Sequence, residues 1–273
     1  MSLNFERHGH GEPMLLLHGI GGELCVWEPV LERLAASHDV IAVDLPGFGH
    51  SPGLSADVTP TPAALARAVA SFLDELQVDR VHAVGNSLGG WLALELAVLG
   101  RAHTVTGICP AGLWPAPTLR QGAVARSSAH LAVRRLRLLV PLLMASPQIR
   151  RLMLRPFVAH PERIPYHAAV RMVRSYGRGT AYAATATAMR QSFFSATSDL
   201  TVPVTLAFGE RDGLIRPAPG RIPGARTIIL RDCGHIPMWD DPELVVTVIE
   251  DSAAETERLR AVQNPYEIQQ EAR

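Results

Sequence analysis

The chain has no lysine: all 26 of its basic residues are arginine. They are matched by 26 acids, so the net charge is zero and gives no general argument for nucleic acid as a partner. Cysteine is scarce. Cys25, Cys109 and Cys233 form no CxxC pair, which excludes a disulfide framework and the usual zinc spacings and leaves three ordinary buried thiols as the expectation. Long apolar runs are also missing. The longest stretch without a charged side chain, Ala102 to Leu119, is interrupted by Pro110, Pro115 and Pro117 and falls short of the roughly 20 apolar residues of a spanning helix. Residues 1–12 are mostly polar and carry Glu6 and Arg7 where a signal peptide would need its apolar core. The expected compartment is therefore the cytoplasm.

What is present is an ordinary globular composition, 47% hydrophobic and 19% charged, over 273 residues. That length suits one large domain or two average ones. The charge is unevenly spread: residues 113–198 hold 13 Arg against the single acid Glu162, a balance of +12, and the remainder carries −12.

Short apolar runs at 13–17, 40–43, 81–84, 104–109, 202–208 and 226–230, most bounded by Gly, Pro or Asp, fit strands buried on both faces. Helix-like segments lie between them at about 23–36, 61–77, 88–100 and 242–260. In the second, Leu65, Val69, Phe72, Leu73 and Leu76 recur at helical spacing and form one apolar stripe. Alternating strands and helices predict a mostly parallel sheet covered by helices. Between Cys109 and Val202 lie about 90 residues without a convincing strand, far too many for a connection. The expected division is a core of residues 1–112 and 199–263, a helical insertion at 113–198 and a frayed polar tail at 264–273.

Gly85-Asn86-Ser87-Leu88-Gly89-Gly90 follows one apolar run and precedes a helical segment. In a G-x-S-x-G strand-to-helix turn the serine is strained so that its hydroxyl is presented, and side chains two residues away on either side would collide. Such a hydroxyl is a poor nucleophile until a base takes its proton, and the base needs a third group to fix its tautomer. His235, in Cys233-Gly234-His235 after the last apolar run, is the best-placed base among 11 histidines. Asp212, in Gly209-Glu210-Arg211-Asp212 after the run 202–208, is the expected acid, with Glu210, Asp232, Asp240 and Asp241 as competitors. Acyl transfer also needs donors for the oxyanion. The backbone N–H of Leu88, at a helix start, is one. His18-Gly19-Ile20-Gly21-Gly22 supplies the second, with the N–H of Ile20 as the choice and Gly21 as the fallback.

With these motifs the chain resembles the α/β-hydrolase superfamily. The resemblance rests on HG-x-G-G at 18–22, Asp44 to Ser51, the Gly-Asn-Ser-Leu-Gly-Gly elbow, Gly209 to Asp212, and Gly234-His235 followed by Asp241-Pro242-Glu243, all in the expected order. It implies a mostly parallel eight-stranded sheet flanked by helices, a helical cap inserted after the sixth strand, and the triad order Ser, Asp, His. It implies a structural part for Asp44 to Ser51, with His50 not catalytic, and no metal or organic cofactor. Ser87 stands where haloalkane dehalogenases and epoxide hydrolases use Asp. The elbow is also similar to that of meta-cleavage-product carbon–carbon hydrolases. Those commonly have Gly-Pro in the HG-x-G loop and Trp directly after the histidine, where this chain has Gly22-Glu23 and Ile236. Cofactor-free haloperoxidases share the triad.

The expected function is cleavage of a carboxylic ester with a hydrophobic acyl group by Ser87, His235 and Asp212, with Trp114 and Trp239 as candidate pocket walls beside Gly21. The alternatives are a carbon–carbon hydrolase, a haloperoxidase-like enzyme and a non-catalytic ligand receptor on the same fold. The expected partner is a small-molecule ester. For the Arg-rich cap two readings stand: contact with an anionic lipid surface, or simple pairing of its +12 with the −12 of the core.

Overall fold

The structure, a computed structural model, describes residues 2–114 and 123–263, without the side chains of 123–128 and 256–263. The expected tail at 264–273 and residues 115–122 of the expected insertion lie outside the described residues.

Seven strands form one sheet: β1 Phe5–His8, β2 Glu12–Leu17, β3 His38–Val43, β4 Val81–Asn86, β5 Ala102–Ile108, β6 Val204–Gly209 and β7 Arg226–Leu230, in the order β1-β3-β2-β4-β5-β6-β7. Only β1 is antiparallel, against β3; every other pair is parallel. The expectation of eight strands is corrected to seven among the described residues, and the helical insertion follows the fifth strand, not the sixth. Strand β1 is the edge of the sheet and pairs only with β3, so no strand lies beyond it among the described residues. Asn4, just before it, ties to the loop after β3: its carbonyl accepts from Asp44 N, its N–H donates to Ser51 Oγ at 2.9 Å and its amide to Asp44 Oδ2 at 2.7 Å.

Side chains alternate between two faces, as the period of a strand requires. Leu15, Leu17, Ile41, Val43 and Ala83 face one core with helices α2 (Pro62–Glu75) and α3 (Leu88–Val98). Met14, Leu16, Val40, Ala42 and Val84 face another with α1 (Glu28–Leu34) and α9 (Pro242–Gln263). Helix α2 begins where the sequence provides a cap: Thr61 Oγ1 accepts from Ala64 N at 3.2 Å, and Pro62 occupies the first helical position. Helix α3 is buried nearly all round, in keeping with a sequence that has no polar face.

Helices α4 (Ala123–Arg135), α5 (Val140–Ala145), α6 (Pro147–Leu154), α7 (Tyr166–Arg178) and α8 (Tyr182–Gln191) connect β5 to β6. They share a small core of their own, including Val140, Met144, Leu154, Ala169 and Val173, against which Ile236 and Trp239 of the main body pack. Among the described residues no helix is long and apolar enough to cross a membrane.

The sheet order locates the site. From β2 the chain passes to β3 on one side and then to β4 on the other. Loops leaving β2 and β4 therefore diverge, and the crevice at the carboxyl ends of these strands is where open α/β sheets bind ligands. His18–Gly22 and Ser87 are the residues that leave those ends.

Candidate active site

Ser87 lies between β4 and α3 with φ 55° and ψ −112°, a strained conformation for a residue with a side chain. The neighbouring glycines make it possible. A Cβ on Gly85 would lie 2.1 Å from the backbone of Gly89, and one on Gly89 would lie 2.0 Å from Leu17 O. The loop after β2 presses on the same turn: a Cβ on Gly19 would sit 3.1 Å from Ser87 Cβ. Among the described residues, neither the Ile20 nor the Leu88 main-chain N–H has an acceptor.

His235 and Asp212 are brought together from loops after β7 and β6. Nδ1 of His235 is 2.8 Å from Asp212 Oδ2, and the Asp212 side chain is fully buried. Asp212 Oδ1 accepts from Leu214 N at 2.7 Å and Ile215 N at 3.0 Å. Burial alone pushes this carboxyl up, but the hydrogen bond and charge of His235 and the two N–H groups outweigh it and hold it below the ordinary carboxylate value. An ionised Asp212 requires the proton of His235 on Nδ1, the tautomer in which Nε2 carries the lone pair. The side-chain amide of Asn86, next to Ser87, donates to the carbonyl of His235 at 2.8 Å and to that of Ile108 at 3.1 Å.

The competing acids go elsewhere. Asp240 is buried and accepts from Ala159 N, His160 N and Gly234 N at 3.0, 2.8 and 2.7 Å, so it fastens the insertion to the His235 loop. Ile236 N donates to Phe157 O in the same junction. Asp241 caps α9 by accepting from Leu244 N, Glu210 accepts from Asp232 N, and Asp232 pairs with His160 and Arg211.

Two further residues support this edge, Cys109 outside any motif and His18 at the head of the glycine loop. Cys109 follows β5 at φ 46°; its Sγ accepts from Gly209 N at 3.3 Å and faces Gly234 O at 3.8 Å, bridging the acid and histidine loops. Cys109, Asp212 and His235 are the one group among the described residues whose donor atoms converge closely enough to hold an ion. The Asp212–His235 hydrogen bond already occupies two of the facing atoms, and burial followed by the charge of Asp212 pushes the Cys109 thiol up. His18 is fully buried, its Nε2 accepts from Leu45 N at 2.9 Å and its Nδ1 donates to Gly19 O at 2.7 Å. Burial lowers its pKa, and this neutral ring fixes the glycine loop. Asp44 accepts from Leu24 N and His50 N, which stiffens the adjacent turn.

The pocket candidates are spread around this edge. Gly21, at φ 77°, lies under Tyr176 and Tyr182 of the insertion; a Cβ there would meet Tyr176 Cδ2 at 2.7 Å. The two phenols are 3.0 Å apart, and His130 stacks on Tyr182 with ring centroids 4.2 Å apart. Trp114 packs edge-on against Trp91 and donates from Nε1 to Ser192 O at 2.8 Å. Trp239 lies where the insertion's core meets that of the main body.

A family model described as the alpha/beta hydrolase family matches residues 14–248. A pimeloyl acyl-carrier-protein methyl ester esterase of Aeromonas hydrophila is 43% identical over 98 residues, 36% of this chain and 37% of that protein. An epoxide hydrolase of Mycobacterium tuberculosis is 32% identical over 211 residues, 69% of this chain and 95% of that protein. Several of the curated relatives are matched over less than half their own length, at 30%, 37% and 44%. Among solved structures, a thermophilic esterase from Thermogutta terrifontis superposes with a TM-score of 0.73 at 24% identity, covering 93% of each chain. A strained serine between strand and helix, a buried acid–imidazole pair at the same sheet edge, and a family match over most of the sequence lead to one assignment: the chain belongs to the alpha/beta hydrolase family.

Proposed function

We propose that the protein is a serine hydrolase that cleaves carboxylic esters with a hydrophobic acyl group through an acyl-enzyme. The observation that carries this reading is the fully buried Asp212 carboxylate held 2.8 Å from His235 Nδ1, on the edge where Ser87 sits in its strained turn.

In this mechanism Ser87 Oγ attacks the ester carbonyl carbon while His235 Nε2 takes its proton. Asp212 stabilises the imidazolium without becoming protonated. The carbonyl oxygen becomes an oxyanion held by the N–H groups of Leu88 and Ile20, both without another acceptor among the described residues, with the N-terminus of α3 adding its dipole. His235 then returns the proton to the departing alcohol. A water attacks the acyl-enzyme by the same proton route in reverse order. The insertion acts as a cap, with Tyr176 and Tyr182 closing over Gly21 beside the oxyanion donors and Trp114 and Trp239 in its flanking walls. The esterase among the relatives acts on a methyl ester by its name, which is compatible with this substrate class.

A panel of p-nitrophenyl esters of increasing acyl length, with a meta-cleavage-type carbon–carbon substrate included, tests the reading. Ester turnover that nearly vanishes in Ser87→Ala and His235→Ala is expected. Turnover of the carbon–carbon substrate alone, or of nothing in the panel, would overturn it.

A further inference from the structure

The helices between β5 and β6 expose apolar side chains where a soluble surface would carry polar ones. On α5, Val140 and Met144 point inward, yet Leu142, two residues and about 200° round the helix from either, is 73% exposed. On α6 the same offset separates buried Leu154 from Leu152, which is 75% exposed. Leu138, in the turn between α4 and α5, is 81% exposed, and Leu136, Leu139 and Ile149 are also on the outside. Scattered exposed leucines need no explanation, but a set concentrated on three consecutive short elements marks an interaction surface.

Its charge identifies the partner. Exposed Arg134, Arg135, Arg137, Arg151 and Arg155 alternate with these leucines, and the sequence has no Asp or Glu between Ala102 and Pro161. The arginines further along do pair with the main body: Arg171 with Glu28 and Arg178 with Glu23. Arg134, Arg135, Arg137 and Arg155 have no ion pair among the described residues. Part of the +12 is thus neutralised internally and part is displayed beside apolar side chains. A second copy of this chain is a poor occupant, because a two-fold contact would set this basic surface against itself. Nucleic acid would satisfy the arginines and leave the leucines in water. A bilayer surface with anionic headgroups satisfies both: guanidinium groups bind phosphates bidentately while their stems and the leucines enter the acyl boundary.

We infer that the face formed by α5, α6 and the Leu136–Leu139 turn docks on anionic membrane surfaces. The inference does not depend on the reaction proposed above, and its test separates the two.

The full chain is sedimented with vesicles of phosphatidylcholine alone and of phosphatidylcholine with phosphatidylglycerol, at low and high salt. Several-fold more protein is expected on the anionic vesicles, with the excess lost at about 0.5 M salt. R134Q/R135Q/R137Q is expected to weaken anionic binding about a hundredfold, each arginine contributing close to a factor of five. L138S/L142S/L152S is expected to weaken it at least about tenfold. Hydrolysis of a soluble ester should be unchanged in both variants, and Ser87→Ala should bind vesicles as the parent does, whether or not it is an esterase. Equal sedimentation with both vesicle types, or none with either at low salt, would overturn the inference. So would a lipid-free dimer that dissociates in the leucine variant, or binding to a nucleic-acid duplex in place of vesicles.

Discussion

The amide of Asn86 donates to the carbonyl of His235 across 149 residues of sequence, at 2.8 Å. Its neighbour Ser87 is thereby registered against the histidine loop through one side chain whose second N–H is spent on Ile108 O. The strand end that carries the serine and the loop that carries the imidazole cannot shift independently while this bridge holds.

Replacing Asn86 with Ala leaves the His235 carbonyl without that donor, while Ile108 O keeps the Ser87 N–H at 2.9 Å. The expected cost is about 1–3 kcal/mol of stability, read by urea unfolding, since an unsatisfied buried group loses its full desolvation energy. Because the bridge aligns the proposed proton acceptor, kcat should fall more than KM rises. Asn86→Asp, which sets an acceptor against both carbonyls, should be worse than Ala. Parent-like stability and kcat in Asn86→Ala would contradict the account.

The elbow glycines are steric requirements. Gly85→Ala and Gly89→Ala would each place a methyl against main chain, 2.1 Å from Gly89 and 2.0 Å from Leu17 O, so neither should yield an active, normally stable protein. Gly53→Ala meets nothing within 4 Å and should be neutral in thermal melting and turnover.

Asp212 supplies a pH signature. Its folded-state pKa is held below the ordinary 3.8, so its contribution to stability is fully present above that value and is lost as pH falls through the lower folded value. The stability difference between parent and Asp212→Asn should therefore shrink as the pH falls below about 4. Catalysis should drop by about 10⁴-fold at neutral pH, the cost seen when such an acid can no longer fix the tautomer. A difference that grows as the pH falls below about 4 would contradict the lowered carboxyl.

The cysteines should be slow to alkylate. Burial, followed by the charge of Glu23, pushes Cys25 up to about 11; burial, followed by Asp240, pushes Cys233 up to about 12. At pH 8 the thiolate fraction is then on the order of one part in a thousand or less, against about a quarter for a free thiol. Iodoacetamide labelling of the folded protein should rise about tenfold per pH unit from 8 to 10 for Cys25. A plateau above pH 9 would refute this.

Much of the frame was legible because apolar runs of four to seven residues mark strands buried on both faces, and six such runs coincide with β2 to β7. Strand β1 was not, for a physical reason: Phe-Glu-Arg-His is an edge strand, largely exposed and paired only with β3, so it leaves no apolar run to read. Ser87, Asp212 and His235 were singled out because each ends or follows a strand, and the Asp212–His235 hydrogen bond is the contact that order anticipates. Asn86 could have been suspected as a polar residue closing a buried strand. Cys109 and Asp240 left no such trace. Their partners Gly209, Gly234, Ala159 and His160 are main-chain N–H and C=O groups on other loops, and a backbone partner has no sequence signature.

The most direct measurement is the intact mass of the protein after exposure to a fluorophosphonate probe, followed by peptide mapping. One adduct per chain is expected, on Ser87, absent from Ser87→Ala and strongly slowed in His235→Ala. Stoichiometric labelling of Ser87→Ala, or ester turnover in that variant at the parent rate, would contradict the proposed mechanism.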